Sequence, residues 1–247
     1  MIYDSQTFNK EVYNHTGVFI IRNIIPHKLI AEWQNEWNVF YNEKLSNGRD
    51  VHKANPVALK EQLPPKLATM YKTDVLIEVA KQIHGDNVAL YNHRFVIKDK
   101  FSLDKVFLHQ DSCYHLGNLN KCSFFVPLSK VNKDNGGLSF YIGSHKCGYL
   151  GDAGEINPDA FPIKFEKITP ELLPGDFVVM NSHIWHESGP NNAKIDRILA
   201  DIHYQPANDP TGKELLCGEW KTDFWYSMED PTKYFKNSRI LKIKNTQ

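Results

Sequence analysis

Hydrophobic positions recur with two different spacings along the 247-residue chain. Near the start, a β-branched run at 17–25 predicts a strand. After Pro26, apolar residues recur every three or four positions, which predicts a helix with one apolar side packed on the rest of the protein. These residues are Leu29, Ile30, Trp33, Trp37, Phe40 and Tyr41. A second helix is predicted at about 74–83, with Asp74 as its N-terminal cap and Gly85 at its end.

From residue 87 onward, short apolar runs alternate with turn-forming residues. The runs lie at 89–97, 106–109, 123–128, 138–142, 177–180 and 197–204. Between them, Asn135-Gly136-Gly137 and Pro174-Gly175-Asp176 are typical of tight turns. Regularly spaced short strands of this kind indicate a β-sandwich or a jelly-roll barrel.

These patterns predict a single domain spanning residues 1–247. Helical support is expected at about 26–86, a jelly-roll core at about 87–205 and a C-terminal extension at 206–247. Residues 44–66 contain several prolines and an Asn-Gly pair, so we expect a long loop there, a candidate lid over a site.

Composition and charge exclude some partners. The formal net charge is zero, and basic residues cluster only near the C-terminus, where we expect a solvated face rather than a nucleic-acid site. The sequence has neither an apolar run of membrane-spanning length nor a signal-peptide pattern, so we expect no membrane partner. The four cysteines lack metal-binding spacing and are expected to be reduced thiols in a cytoplasmic protein.

The most informative short motif is His109-Gln110-Asp111, which follows the apolar run at 106–109. Side chains alternate between the two faces of a β-strand, so the imidazole and the carboxylate are expected to point the same way. One imidazole and one carboxylate make up two-thirds of a 2-His-1-carboxylate facial triad, which leaves coordination positions open on iron. Alone, the motif is also compatible with a structural histidine.

A second part of the sequence contains candidates for the third metal ligand and for a carboxylate-binding residue. The turn at 174–176 leads into a strand and then to two histidines, His183 and His186, either of which is a candidate third ligand. Arg197 opens a later strand, and its guanidinium suits bidentate binding of a carboxylate on a dicarboxylic acid.

Taken together, these motifs resemble the phytanoyl-CoA dioxygenase family of iron(II)/2-oxoglutarate oxygenases over roughly residues 10–205. The family's ordered pattern is matched by His109-Gln110-Asp111, Asn135-Gly136-Gly137-Leu138, Gly143-Ser144-His145, Pro174-Gly175-Asp176, the segment from His186 to Asn191, and Arg197. The resemblance implies a mainly β fold, with a double-stranded β-helix (jelly-roll, cupin-like) core and flanking N-terminal α-helices. No single motif is specific, but their combination in this order is.

The resemblance also implies roles for individual residues. The metal ligands are expected to be His109, Asp111 and His186, because the motif residues after His186 fall at the family's offsets. Fe(II) is the implied metal, with 2-oxoglutarate and O2 as co-substrates. The residues expected at 2-oxoglutarate are Arg197, Ser188, Gln110, Phe125 and Lys98; Phe125 departs from the tryptophan that many relatives carry, and Lys98 matches only in polar character.

The implied function is hydroxylation of a small-molecule metabolite with release of succinate and CO2. A carboxylate at Asp111 favours hydroxylation, desaturation or cyclisation over halogenation, because related halogenases carry glycine or alanine there. The residues expected to line the substrate pocket are Asn92, Phe107, Tyr114, Asn181 and Trp185. The alternatives are a cupin-type metalloenzyme that does not use 2-oxoglutarate and a non-catalytic binding protein on the same fold.

Two further histidines have structural interpretations. His115 lies four residues after Asp111, and continuation of the strand would place it away from the metal. Asp201 and His203 are expected on the same strand face as Arg197, so Asp201 is a candidate ion-pair partner of that arginine.

Overall fold

The computed structural model describes residues 4–46, 57–99, 103–117, 120–151, 154–193 and 195–220, with side chains described only to residue 43 in the first range. The centre of the expected loop at 44–66 and the basic C-terminal cluster lie outside these residues. Among the helices of the described ranges, none has both the length and the apolar character that a membrane span needs.

The predicted helices and strands occur in the expected order, with shorter elements between them that were not predicted. The helices are α1 (Lys10–Thr16), α2 (His27–Ser46), α3 (Pro65–Ala68) and α4 (Asp74–His84). The strands are β1 (Asp4–Ser5), β2 (Val18–Ile21), β3 (Val57–Leu59), β4 (Val88–Lys98), β5 (Val106–His109), β6 (Cys122–Pro127), β7 (Leu138–Tyr141), β8 (Lys167–Ile168), β9 (Phe177–Asn181), β10 (His186–Ser188), β11 (Arg197–Pro206) and β12 (Glu214–Cys217). Short 3₁₀ helices join several of them.

The strands form two sheets that face each other. The larger sheet has the order β1-β2-β9-β6-β11-β4-β12, with β3 also paired to β4, and the smaller has the order β5-β10-β7-β8. Side chains from both sheets share one buried apolar cluster, in which Phe125 and Leu199 of the larger sheet join Leu138 and Phe140 of the smaller. This jelly-roll arrangement confirms the predicted fold class.

Adjacent residues of a strand in the larger sheet point to opposite faces of that sheet. Phe124 points to the helical side, where its ring lies 5.6 Å from Phe177 and 4.8 Å from Tyr204, whereas its neighbour Phe125 faces the smaller sheet. This alternation follows from the period of two along a β-strand. One face of the sheet therefore supports the fold, and the other is available for a site.

Helix α2 covers the outer face of the larger sheet. Trp33 and Trp37 are both buried, and the Trp37 ring stacks on Phe95 of β4 at 5.0 Å and on Tyr41 at 5.5 Å. Because the apolar residues of α2 recur at helical spacing, they form one side that meets the sheet. The predicted helical support at this end of the chain is thus packed against the back of the strands.

Several element boundaries differ from the prediction. Asp74 lies in the first turn of α4, and the cap position belongs to Thr73, so Asp74 is not the cap. Gly85 does end that helix, with a positive φ of 86°. Residues 57–66, expected as part of the loop, contain β3, a 3₁₀ turn and the start of α3. The edge of β4 offers backbone partners to β3.

We predict that Trp37→Ala destabilises the protein by about 3–5 kcal/mol, because the cavity would open between α2 and the sheet. The measurement is the free energy of unfolding in urea. The matched control is Val39→Ala on the same helix, where the side chain is 55% exposed and an effect within about 0.5 kcal/mol is expected. Equal losses in the two variants would contradict this account of α2.

Candidate functional site

Three side chains with metal-binding chemistry meet between the sheets. His186 opens β10 and lies directly opposite His109, the last residue of β5, while Asp111 begins the 3₁₀ helix that follows β5. The Asp111 Oδ1 atom is 3.6 Å from His109 Nε2 and 3.5 Å from His186 Nε2, and one donor atom from each residue falls within 4.8 Å of the others. We call these three residues the triad.

Hydrogen bonds orient the triad's donor atoms. His109 Nδ1 lies 2.7 Å from the Phe107 carbonyl oxygen, and His186 Nδ1 lies 3.1 Å from that of Ile184. A carbonyl can only accept, so each Nδ1 carries a hydrogen and each Nε2 faces Asp111. Nε2 is therefore the atom of each histidine that is placed to bind a metal ion.

Asp111 is held in its charged form. Burial opposes its ionisation, but His186 and His109 outweigh that cost and hold the pKa of Asp111 well below its usual range. Its second oxygen, Oδ2, accepts a hydrogen bond of 2.8 Å from the Ser123 hydroxyl. The triad thus offers two imidazole nitrogens and one carboxylate oxygen, a donor set that suits Fe(II).

A second charged group lies further along the same face. Arg197 and Lys98 are paired residues of β11 and β4, and both are almost fully buried. Arg197 Nη1 donates to the Gly136 carbonyl at 2.7 Å, but its Nε has no hydrogen-bond partner among the residues that the structure describes. Lys98 Nζ donates to the carbonyls of Asp104 and Gly189. Within the described residues, neither cation forms an ion pair.

The pKa values reflect this burial. Burial lowers the pKa of Arg197 to about 9, and burial together with the positive charge of Arg197 lowers the pKa of Lys98 to about 8. Gly136 permits the close approach, since its φ is +78° and a Cβ there would lie 2.7 Å from both Lys98 Cδ and the Gly189 carbonyl. Two adjacent buried cations without a carboxylate are costly, so this position favours an anionic ligand.

The other residues expected at 2-oxoglutarate divide into two groups. Ser188 is buried two residues after His186 on β10, and Phe125 is buried on the inner face of β6. Gln110 points elsewhere: its amide bonds the carbonyls of Gly148 and His183 and accepts from Leu150 N–H. Gln110 lies between two residues that face inward, so strand alternation turns it away from the triad.

A cavity of about 690 Å³ opens beside the triad and includes His109 and Asp111 in its wall. Three residues expected in the substrate pocket, Asn92, Phe107 and Tyr114, line this cavity. The register between β11 and β4 skips Tyr91, which forms a β-bulge, so Tyr91 and Asn92 both reach the wall despite being adjacent.

A family model matches most of the chain. The model of the phytanoyl-CoA dioxygenase family, PhyH, matches residues 13–199. The chain belongs to this family. The resemblance inferred from the ordered motifs is thereby confirmed.

Individual family members are distant relatives. The ectoine dioxygenase of Streptomyces anulatus is 26% identical over 161 residues, which are 60% of this chain and 54% of that protein. The 1-deoxypentalenic acid 11-beta-hydroxylase of Streptomyces arenae is 29% identical over 125 residues, 44% of each chain. This chain thus spans about half the length of these two relatives.

Solved structures of similar proteins share the fold. The α-ketoglutarate-dependent epimerase SnoN from nogalamycin biosynthesis superimposes with a TM-score of 0.69 at 18% identity, over 82% of this chain and 84% of that one. The apo form of EctD from S. alaskensis gives a TM-score of 0.69 at 20% identity, over 86% and 85% of the two chains. At these identities the likeness establishes the architecture alone.

In this phytanoyl-CoA dioxygenase family member, two expected pocket residues lie outside the cavity wall. Trp185 precedes His186 and faces the opposite way, where its ring packs against Phe161 at 4.5 Å and Phe165 at 5.2 Å. Asn181 ends β9, and its side chain accepts a hydrogen bond from the backbone of His183. His183 itself is absent from the triad and serves the turn between β9 and β10.

The structure also corrects the expected partner of Asp201. The register pairs Asp201 with Arg94, whose Nε donates to Asp201 Oδ2 at 2.7 Å, and pairs Arg197 with Lys98 instead. The other oxygen, Asp201 Oδ1, lies 2.7 Å from His203 Nε2. An ion pair between Asp201 and Arg197 was therefore the wrong expectation, because the two residues lie four positions apart on one strand.

His115 is likewise closer to the site than expected. After Asp111 the chain turns as a 3₁₀ helix rather than continuing as a strand, which brings His115 Nε2 to 2.9 Å from His203 Nδ1. His115, His203 and Arg94 all line the cavity. The alternating polar residues Asn92, Arg94 and Lys98 of β4, interrupted by the apolar Val96, are the sequence signal from which Arg94 could have been predicted.

We predict that Lys98 contributes stability to the metal-free protein that increases as the pH rises from about 8 to 10. Its folded pKa of about 8 lies below that of an unfolded lysine, so at this residue the unfolded state binds more protons in this window. The measurement is the free energy of unfolding against pH for the wild type and for Lys98→Met. The difference between the wild type and the variant should shift in favour of the wild type as the pH rises, and parallel profiles would contradict the assignment.

Proposed function

We propose that this protein is an Fe(II)- and 2-oxoglutarate-dependent dioxygenase that hydroxylates a small-molecule metabolite and releases succinate and CO2. The observation that carries the proposal is the combination of the triad with the buried, unpaired cations Arg197 and Lys98 on the same inner face. A metal site alone would fit many enzymes. A metal site beside a carboxylate-binding position fits one that uses a chelating keto acid.

His109, Asp111 and His186 would hold the iron. Their donor atoms come from one face of the smaller sheet and the turn after β5, which leaves the cavity side open for other ligands. The hydrogen bonds from each Nδ1 to a carbonyl and from Ser123 to Asp111 fix the three donors before a metal arrives. When bound, Fe(II) and 2-oxoglutarate together activate O2 for oxidation of a C–H bond.

Arg197 and Ser188 would hold the C5 carboxylate of 2-oxoglutarate, with Lys98 beside them. An anion there would supply the hydrogen-bond acceptor that Arg197 Nε lacks and would offset the mutual repulsion of the two cations. Phe125 is buried on the inner face and would contact the methylene groups of the co-substrate. Gln110 keeps the loop at 148–150 in place rather than touching the co-substrate.

The cavity would hold the metabolite, with Asn92, Phe107 and Tyr114 in contact with it. His109 and Asp111 form part of the cavity wall, so a bound molecule lies next to the triad. A volume of about 690 Å³ suits a small metabolite. Asp111 would supply a carboxylate ligand where related halogenases leave room for a halide, which favours hydroxylation over halogenation.

We predict that Fe(II) and 2-oxoglutarate, added in turn to the metal-free protein without O2, produce the visible charge-transfer band of the chelate. Arg197→Met should weaken 2-oxoglutarate binding roughly 10- to 100-fold, because charge-assisted hydrogen bonds are lost. The band measured against co-substrate concentration gives the affinity directly and requires no knowledge of the metabolite.

Lys164→Met is the matched control for that titration, since it removes an exposed cation from the surface and should leave the affinity unchanged. Iron binding without a band in the wild type would refute the use of 2-oxoglutarate and favour a metalloenzyme of another kind. Failure to bind iron at all would favour a non-catalytic protein.

We also predict that Asp111→Ala abolishes hydroxylation coupled to succinate release. Asp111 supplies the triad's only anionic donor, and its loss leaves two neutral imidazoles to hold a dication. The measurements are iron content and succinate formation. Ser123→Ala provides a graded comparison, because it removes one hydrogen bond from Asp111 while leaving all three donors. Full turnover by Asp111→Ala would eliminate Asp111 as a ligand.

A further inference from the structure

Arg94 is a cation in the cavity wall with no part in the chemistry above. It lies on β4, two residues after Asn92, so both side chains share the inner face of the sheet. Both line the same cavity as His109 and Asp111. A molecule in that cavity therefore meets the guanidinium and the triad together.

An ion pair with the buried Asp201 fixes the orientation of the Arg94 side chain. Arg94 Nε donates to Asp201 Oδ2 at 2.7 Å, and the Asp201 side chain is 2% exposed while that of Arg94 is 36% exposed. Among the described residues, the structure contains no hydrogen-bond partner for the two terminal nitrogens of Arg94. Its planar group is thus held at one edge and open at the other, where it can bind a carboxylate end-on with two hydrogen bonds.

The Asp201 carboxylate that holds Arg94 is buried and remains charged. Burial opposes its charge, but His203 and Arg94 hold the pKa of Asp201 below its usual range. His203 Nε2 contacts the other carboxylate oxygen at 2.7 Å, and His203 Nδ1 is in turn bonded to His115. Arg94 is therefore positioned before any ligand arrives, which reduces the entropic cost of binding.

The charge of the cavity wall favours an anionic ligand. Lys213 is a second cation there, with its Nζ 3.3 Å from Asn92 Oδ1, and its backbone N–H is bonded to the Leu90 carbonyl. Of the described residues that line the cavity, Asp111 is the acid, and its carboxylate is directed at His109 and His186. Arg94 and Lys213 thus face the cavity together with one acid among its described lining residues, Asp111, whose carboxylate lies close to the two histidines of the triad.

This cationic wall is separate from the buried pair of Arg197 and Lys98. Arg94 and Lys98 are four residues apart on β4, a rise of about 13 Å along the strand. Neither Arg197 nor Lys98 contributes to the cavity wall. The inner face therefore has two cationic positions, one enclosed between the sheets and one open to the cavity.

We propose that Arg94 binds a carboxylate of the prime substrate, so that the enzyme acts on small carboxylic acids rather than on their neutral analogues. The proposal rests on the proposed function only in identifying the bound molecule as the substrate. The contact is end-on, through the two terminal nitrogens of Arg94, with Lys213 adding to the positive potential.

The test is anaerobic isothermal titration calorimetry of the protein loaded with Fe(II) and 2-oxoglutarate. The probes are four acids, each paired with its primary amide: phenylacetate, 4-methylpentanoate, L-proline and L-leucine. Acids but not amides should bind, and Arg94→Met should weaken the acids roughly 10- to 100-fold. Arg94→Lys keeps the charge but loses the fork and should also bind more weakly than the wild type. Lys164→Met should match the wild type.

The chelate band, recorded on the same samples, separates this proposal from the proposed function. Acid binding that depends on Arg94 while the wild type forms no band would leave the carboxylate site standing and refute the use of 2-oxoglutarate. Loss of the band in Arg94→Met with acid binding unchanged would assign the guanidinium to the co-substrate and overturn the proposal. Equal binding of acids and amides, or no binding of any acid by the wild type, would also overturn it.

Because Arg94→Met leaves Asp201 without one of its partners, the single variant could fail to fold. The paired variant Arg94→Met with Asp201→Asn removes both charges of the ion pair, so that Asp201 is not left as an unpaired buried charge, and keeps the test available. Acid binding by that variant with wild-type affinity would likewise overturn the proposal.

Discussion

The antiparallel pairing of β11 with β4 is the constraint on which the site depends. It runs over all ten residues of β11 and sets Arg197 beside Lys98 and Asp201 beside Arg94. Because side chains alternate along a strand, the charged residues share the inner face and Ala200 and Ile202 enter the helical core. A slip of one residue would bury the charges against α2 and turn apolar groups to the cavity, so the register is strongly determined.

The helical side of the sheet makes a charged inner face possible. Desolvating Arg197 and Lys98 opposes folding, and among the described residues neither has an acidic partner that offsets the cost. The layer of aromatic residues around Trp37 and Phe124 on the other face contributes a large buried apolar area. The cost falls on the protein without a bound anion, because an anion at Arg197 would remove much of it. Stability and ligand binding are thus coupled through one sheet.

The sequence predicted those parts of the site that depend on local periodicity. His109 and Asp111 were expected to share a direction, and they do, whereas Gln110 between them faces the other way for the same reason. What could not be predicted depends on pairing between distant strands. The partner of Asp201 is fixed by the register of β11 on β4, and the return of His115 to the cavity is fixed by a 3₁₀ turn that the apolar pattern does not encode.

The cavity wall combines residues of the strands that hold the triad and the buried cations with residues of the connections, which bears on how one fold can serve different substrates. Arg94 projects from the centre of the larger sheet, but Thr211 and Lys213 come from the connection between β11 and β12, and Leu116 follows the 3₁₀ turn. Residues in connections can change with little effect on the register of the sheet. The strands β4, β5 and β11 therefore fix part of the wall together with the triad, and the connections complete it. The residues in the connections are the part of the wall that can change without altering the register of the sheet.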